Sequence, residues 1–270
     1  MVIGNIGVKP TRPELNRDHS LAKDTLICLP FHDRGGTTFR DVSGRKNHGS
    51  ELSTGTSGRG RFGGTVSFAD GVRHIDIKPS DQIGIPLEQV TVCVMFEKND
   101  GTNRNSGAFG RESASATLQC SASIPRSNGR LEFNFGGFFV DTSRLRLFGL
   151  SFSGLNIWML SVGPRGMDAW KNGELQGSHT NHVSRVATSG NFRVGSGLSF
   201  LGDNITHHFF ALFTRQLSQS EIIDFSHAPF ALIDRPERKK YFVPTVAAIA
   251  PGTFLRRYEG QPAPNPLLRM

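Results

Sequence analysis

Two tryptophans and two tyrosines stand against 21 phenylalanines in this 270-residue chain. Sugar-binding faces favour exposed Trp or Tyr and cores favour Phe, so the imbalance points to a large apolar core and by itself marks no carbohydrate site. Trp158 and Trp170 both fall in β-rich runs and read as core residues. Cysteine is equally scarce. Cys28, Cys93 and Cys120 are odd in number and widely spaced, which excludes a disulfide framework and a zinc-ligand pattern. Cys28 and Cys93 sit among apolar residues and read as reduced, buried thiols, as expected of a chain folding in a reducing cytoplasm. No apolar run approaches the roughly 20 residues of a membrane span. The segment Met1–Pro10 has no charged lead-in or small-residue cleavage site, so no membrane partner and no secretory route are expected. There is no internal repeat.

Catalytic patterns are missing too. A glycosidase needs two carboxylates flanking the scissile bond, and no Glu-x-Asp-x-Glu run occurs. Glu97 and Asp100 lie in a loop-like stretch, while Glu132 and Asp141 stand alone, so these acids read as solvated. No Gly-x-Ser-x-Gly elbow marks a nucleophile. The expectation is a chain that is not an enzyme and has no catalytic residues. Histidines give no metal site: neighbours on a strand point to opposite faces, so His207 and His208 cannot share an ion, and His179 and His182 lack a third ligand. The plain reading is solvated histidines, with His179 and His182 in a loop. Calcium needs six to eight oxygens, and this chain has no dense Asp/Asn cluster; Asp70, Asp76 and Asp203 near turns could supply part of a shell. The expectation is no cofactor, with calcium the one to test.

The formal charge is +8. Its carriers are scattered (Arg59 and Arg61, Arg126 and Arg130, Arg144 and Arg146, then Arg235, Arg238, Lys239 and Lys240), with no recognition helix or RNP-like motif to organise them. Specific nucleic-acid binding is therefore not expected, and an acidic protein surface accounts for the charge as well.

What is present is β structure. Thr25–Leu29, Arg61–Phe68, His74–Ile77, Val90–Phe96, Ala116–Ser121, Arg130–Phe135, Phe138–Val140, Asn156–Val162, Met167–Trp170, Asn191–Val194 and His208–Phe213 are rich in β-formers or alternate apolar with polar residues. Asn172-Gly173 after Trp170 predicts a tight hairpin, because both residues tolerate positive φ. Phe135-Gly-Gly-Phe-Phe139 is either a turn between core strands or an exposed aromatic loop. One helix is predicted from Ser218, where Glu221 completes a capping box, Leu217 staples onto Ile222, Ile222 and Phe225 face the sheets, and Pro229 ends it. Residues 1–24 read as a polar arm. Residues 229–270 carry Pro229, Pro236, Pro244, Pro251, Pro262, Pro264 and Pro266 and read as an extended tail.

Ordered along the chain, several segments resemble the LamG-like, concanavalin A-type jelly-roll family over residues 25–230. They are the loop Asp41-Val-Ser-Gly-Arg-Lys-Asn-His-Gly49, Arg61-Phe-Gly-Gly64, Phe68-Ala-Asp-Gly-Val72, Trp170-Lys-Asn-Gly-Glu174 and Phe213-Thr-Arg-Gln-Leu-Ser-Gln-Ser-Glu-Ile222. Thr214 stands where the family usually has Asn. The resemblance implies an all-β fold: an antiparallel two-sheet jelly-roll sandwich at 25–228, one short helix near 218–226, and extended arms at 1–24 and 229–270. Family members often bind calcium at the sandwich rim. Pro229-Phe-Ala-Leu-Ile233 is similar to the segment on the C-terminal side of this domain in tailed-bacteriophage proteins. The expectation is a virion structural protein of a tailed phage, made in the bacterial cytoplasm and attached to capsid or tail. Its partners would be other virion subunits and copies of itself. Partner contacts are expected at Tyr241, Phe242, Val243, Phe254, Leu255, Arg256 and Arg257, sticky groups in an otherwise polar tail. The alternative is a host-surface adhesion module that binds glycan, with or without calcium.

Overall fold

The computed structural model describes residues 9–10, 13–32, 37–51, 56–60, 62–68, 74–98, 107–111, 120–126, 129–136, 144–180, 184, 190–195 and 205–233. Residues 1–236 make one compact unit and 237–270 a second, and the second lies outside the described residues. The first unit is an antiparallel two-sheet jelly-roll sandwich. Its strands are β1 (Thr25–Leu29), β2 (Thr38–Phe39), β3 (Gly49–Glu51), β4 (Thr56–Gly60), β5 (Gly63–Phe68), β6 (Ile75–Pro79), β7 (Val90–Lys98) and β8 (Gly107–Arg111). They continue as β9 (Cys120–Arg126), β10 (Arg130–Phe135), β11 (Arg144–Leu147), β12 (Gly154–Gly163), β13 (Gly166–Lys171), β14 (Glu174–His179), β15 (Asn191–Val194) and β16 (Ile205–Phe213). The helices are α1 (Ser80–Ile83), which has no counterpart among the sequence-based expectations, and α2 (Gln219–His227).

The first sheet runs β14-β13-β12-β7-β16-β5-β4, with β1 also on β16, and the second runs β11-β10-β9-β8-β15-β6-β3-β2. Alternation along β7 explains how the layers pack. Val90, Val92, Val94 and Phe96 point into the core between the sheets. Cys93 and Met95 point the other way, into a second core on the outer side of the first sheet. Central strands buried on both faces need near-continuous apolar sequence, which is why Val90–Phe96 reads so plainly.

The second core also holds Ile157, Met159, Phe209, Phe213, Ile222 and Phe225. The segment read as an arm contributes Leu15, Leu21 and Ala22 to it, and Phe230, Leu232 and Ile233 close it. Asn16 binds across this junction: its N–H donates to the Leu232 carbonyl at 2.8 Å. With few apolar residues, the N-terminal segment gave no periodic signal, yet Leu15, Leu21 and Ala22 are buried.

The motif around Arg215 is a clamp. Its guanidinium meets Asp24 at 2.7 Å and Glu221 at 2.6 Å, joining the N-terminal segment to the first turn of α2. The hydrogen bonds from Arg215, helped by those from Ser218, hold the Glu221 carboxyl down at about 2 despite partial burial. The predicted capping box is present, with Glu221 N–H on the Ser218 hydroxyl and the Ser218 N–H on the Glu221 carboxylate. Asn172 and Gly173 take φ of 53° and 82°, as a tight β13–β14 hairpin requires.

The Asp41 loop is similarly internal. Asp41 accepts from the N–H groups of Cys28, Ser43 and Asn47 at 2.9 Å each and from the Ser43 hydroxyl at 2.7 Å. Asn47 donates its amide to the Leu26 carbonyl at 2.9 Å, so the loop is pinned along β1. Gly64 is a close-approach glycine: a Cβ there would lie 2.0 Å from the Phe31 carbonyl oxygen.

Candidate functional site

With one face of the second sheet on the core, its other face carries the polar residues of each strand. Registry assembles them. Glu132 on β10 lies opposite Arg146 on β11 and Ser123 on β9, and Asn134 lies opposite Arg144 and Ser121. Glu132 is 1% exposed. Arg144 meets it at 3.1 Å, Arg130 at 3.4 Å and Arg146 at 3.6 Å. Arg144 also donates Nε–H to the Asn134 side-chain oxygen at 3.0 Å. Three guanidiniums thus converge on one carboxylate.

Depth divides the cluster into two layers. Arg144, Glu132 and Asn134 are buried and hold the sheet together. Arg130 and Arg146 retain 23% and 38% side-chain exposure and can meet a ligand. Beside them Phe148 is 62% exposed, with the Arg130 guanidinium 5.7 Å from its ring centroid. An exposed ring braced by Arg130 offers a stacking surface and charge-assisted donors at one corner.

Further along the same face is a second ionic group. Asp76 on β6 accepts from Arg193 Nε at 2.8 Å and from Asn191 at 3.2 Å, with His74 3.3 Å away. Burial raises the Asp76 carboxyl, but the hydrogen bonds from His74, Arg193 and Asn191 and the Arg193 charge outweigh it and hold the group low. A carboxylate so engaged is a poor calcium ligand. Asp70 and Asp203, the other expected ligands, lie outside the described residues, and among the described residues no three His, Cys, Asp or Glu side chains gather as a metal set.

Several expectations need correction. Glu132 is a buried carboxylate ringed by arginines, not a solvated one. Glu97 belongs to β7, with its carboxylate 3.4 Å from His208. His207 and His208 lie on a strand, β16, and are fully buried, not solvated. The β16–β7 register shifts between His207 and Phe209. His207 packs against Phe31 and Phe96, whereas His208 packs on Phe62 and shares the second core's side with Phe209. Burial, then the neighbouring His208, pushes His207 down to about 3; burial, then the Lys9 charge, pushes His208 down to about 4. Phe135 is core. Tyr241, Phe242, Val243, Phe254, Leu255, Arg256 and Arg257 lie outside the described residues. The arginine corner was missed because its members are far apart in sequence. The alternating Arg144-Leu-Arg-Leu147 run was its one visible trace.

No family model matches this chain, and no curated protein matches it in sequence. Solved structures do match in fold. Trypanosoma rangeli sialidase in complex with sialic acid aligns at a TM-score of 0.58 and 15% identity, over 76% of this chain and 33% of that one. The binding domain of botulinum neurotoxin DC in complex with rat synaptotagmin II aligns at 0.59 and 13%, over 77% and 52%. The binding domain of Paraclostridial Mosquitocidal Protein 1 gives the same values. The chain thus spans about a third of the sialidase and half of the toxin domains. At such identities the likeness is one of fold. It nevertheless corrects the expectation that the chain is not an enzyme, because chains containing this fold include sialidases, and the sandwich gives no ground for excluding catalysis.

Proposed function

We propose that the chain is a glycan-recognition module of LamG-like type, borne on a tailed-phage virion. The observation that carries the recognition reading is the corner where exposed Phe148 lies over Arg130 with Arg146 on the same strand face. A pyranose ring offers an apolar face to an aromatic ring, and the part-exposed guanidiniums of Arg130 and Arg146 favour sugars bearing carboxylates. One of the solved neighbours is described as a complex with sialic acid, an acidic sugar. Virion placement rests on the sequence resemblance around Pro229–Ile233. It is supported by the buried Phe230, Leu232 and Ile233, which anchor the chain just before the separate unit at 237–270.

Retention on immobilised oligosaccharides tests the first reading. Acidic glycans should be retained over neutral ones, and Phe148→Ala or Arg146→Gln should weaken retention roughly tenfold, the loss of one good contact. Both side chains are well exposed, so melting temperature should hardly move. Unchanged retention in both variants would remove the corner from the proposal. Deleting residues 237–270 tests placement: the truncated protein should stay folded and glycan-binding but no longer associate with phage particles. Undiminished association would overturn attachment through the tail.

A further inference from the structure

On the other side of the molecule, the segment preceding β1 and the Asp41 loop meet across a cavity of about 390 Å3. Arg17, Lys23 and Arg45 line it, with Leu15, Ala22 and Ser43. Among the described residues no acidic side chain lines it, and none of the three cations has an ion-pair partner there. Glu14 and Asp18 on the same segment are exposed and outside the lining, and the two other nearby acids are engaged elsewhere. Asp24, next to Lys23, is bound to Arg215 at 2.7 Å, and the Asp41 carboxylate is occupied by the four donors that fix the loop. Gly44, at φ +87°, brings the loop tip beneath Arg17, whose Nη2 lies 3.8 Å from where a Gly44 Cβ would be. Like charges are therefore gathered on a pinned backbone with no acidic side chain among the described residues of the lining, an arrangement that an arriving anion relieves.

We propose that this cavity binds a small phosphate or sulfate ester. Two guanidiniums and an ammonium approaching from two chain segments suit a tetrahedral group with at least three acceptor oxygens. The volume falls in the range of small-molecule sites, and Leu15 and Ala22 give an apolar wall for the organic part. The acceptor is set by the cations, and the loop that carries Arg45 is preorganised by Asp41, so little ordering is needed on binding.

Calorimetric titration of the full-length protein at constant ionic strength tests this, with glucose 6-phosphate, glucose 6-sulfate and glucose as probes. One or both esters should bind, the better of them naming the source, and glucose should not. Arg17→Gln and Arg45→Gln should each weaken the ester about tenfold. Arg146→Gln, at the distant corner, should leave it unchanged. Heat no greater than with glucose would overturn the proposal, as would equal loss in Arg146→Gln. Tighter binding of a hexa-aspartate peptide than of either ester would overturn it in favour of a peptide-docking groove. The variants change exposed side chains only, and an unchanged melting temperature confirms their folding.

Discussion

Replacing Glu132 by Ala should destabilise the protein by about 3–5 kcal/mol, as expected when one partner of a buried ion pair is removed. The physical reason lies in Arg144 more than in Glu132. Arg144 is itself buried, with the Glu132 carboxylate at 3.1 Å as a counter-charge and the Asn134 oxygen at 3.0 Å as a neutral acceptor. A buried charge that has lost its counter-charge is poorly compensated by a neutral acceptor. Arg130 and Arg146 reach water and can re-solvate, so they contribute little to the loss. The double change Glu132→Ala with Arg144→Leu should therefore recover much of the stability, because it removes both charges. Urea unfolding of the two variants beside the parent measures this. A loss under 1 kcal/mol in Glu132→Ala would show that Arg144 finds water, and the deep layer of the corner would then be accessible to ligand as well. The division matters for function: Glu132 variants should lose stability, whereas Phe148 and Arg146 variants should keep it and lose ligand.

The parts legible in the sequence are those whose cause is local. Thr25–Leu29, Arg130–Phe135 and Asn191–Val194 are found at the expected bounds because β-formers and alternation act within a few residues. The Asn172-Gly173 hairpin and the Ser218–Glu221 cap are just as local. Trp158 and Trp170 are buried as their strand context implies. What could not be read depends on registry between distant strands. Arg130, Arg144 and Arg146 look like scattered charge until β9, β10 and β11 are paired. The short β2, β4 and β8 were not predicted as strands, since Gly-rich or very short runs carry no pattern and are defined by their partners. His207 and His208 obey the same logic. Polar neighbours in sequence suggest solvent, but β16 is an interior strand paired with β7, β5 and β1, and carries them into both cores. Leu15, Leu21 and Ala22 are too few and too irregular to signal the packing they make.

Those two histidines give the protein a defined acid sensitivity. Each is neutral when folded and titrates near 6.5 once unfolded, while the folded values are about 3 and about 4. The unfolded state therefore binds more protons throughout the interval from about 6.5 down to the folded values, and stability falls as pH falls across it. Each group contributes roughly 1.4 kcal/mol per pH unit, so lowering pH from 7.5 to 5.0 should cost about 4 kcal/mol in all. The carboxylates act lower. Glu221, held at about 2, stabilises above the ordinary carboxylate range and loses that contribution only as pH falls from about 4.5. Lys9, pushed down to about 7 by burial, acts higher: between about 7 and 10.5 it favours the folded state increasingly as pH rises, and it is protonated in both states at pH 5. In the window between 6.5 and 4.5 the large shifts are those of His207 and His208, with His19, lowered by its own burial, adding in the same direction. Urea midpoints at pH 7.5 and 5.0 should differ strongly in the parent. In His207→Leu with His208→Leu the difference should shrink to about 1 kcal/mol or less, whatever the variant's absolute stability, because the comparison is within one protein. An equal drop in both proteins would mean that neither histidine is neutral in the folded state, and that His208 meets Glu97 as a charged pair instead.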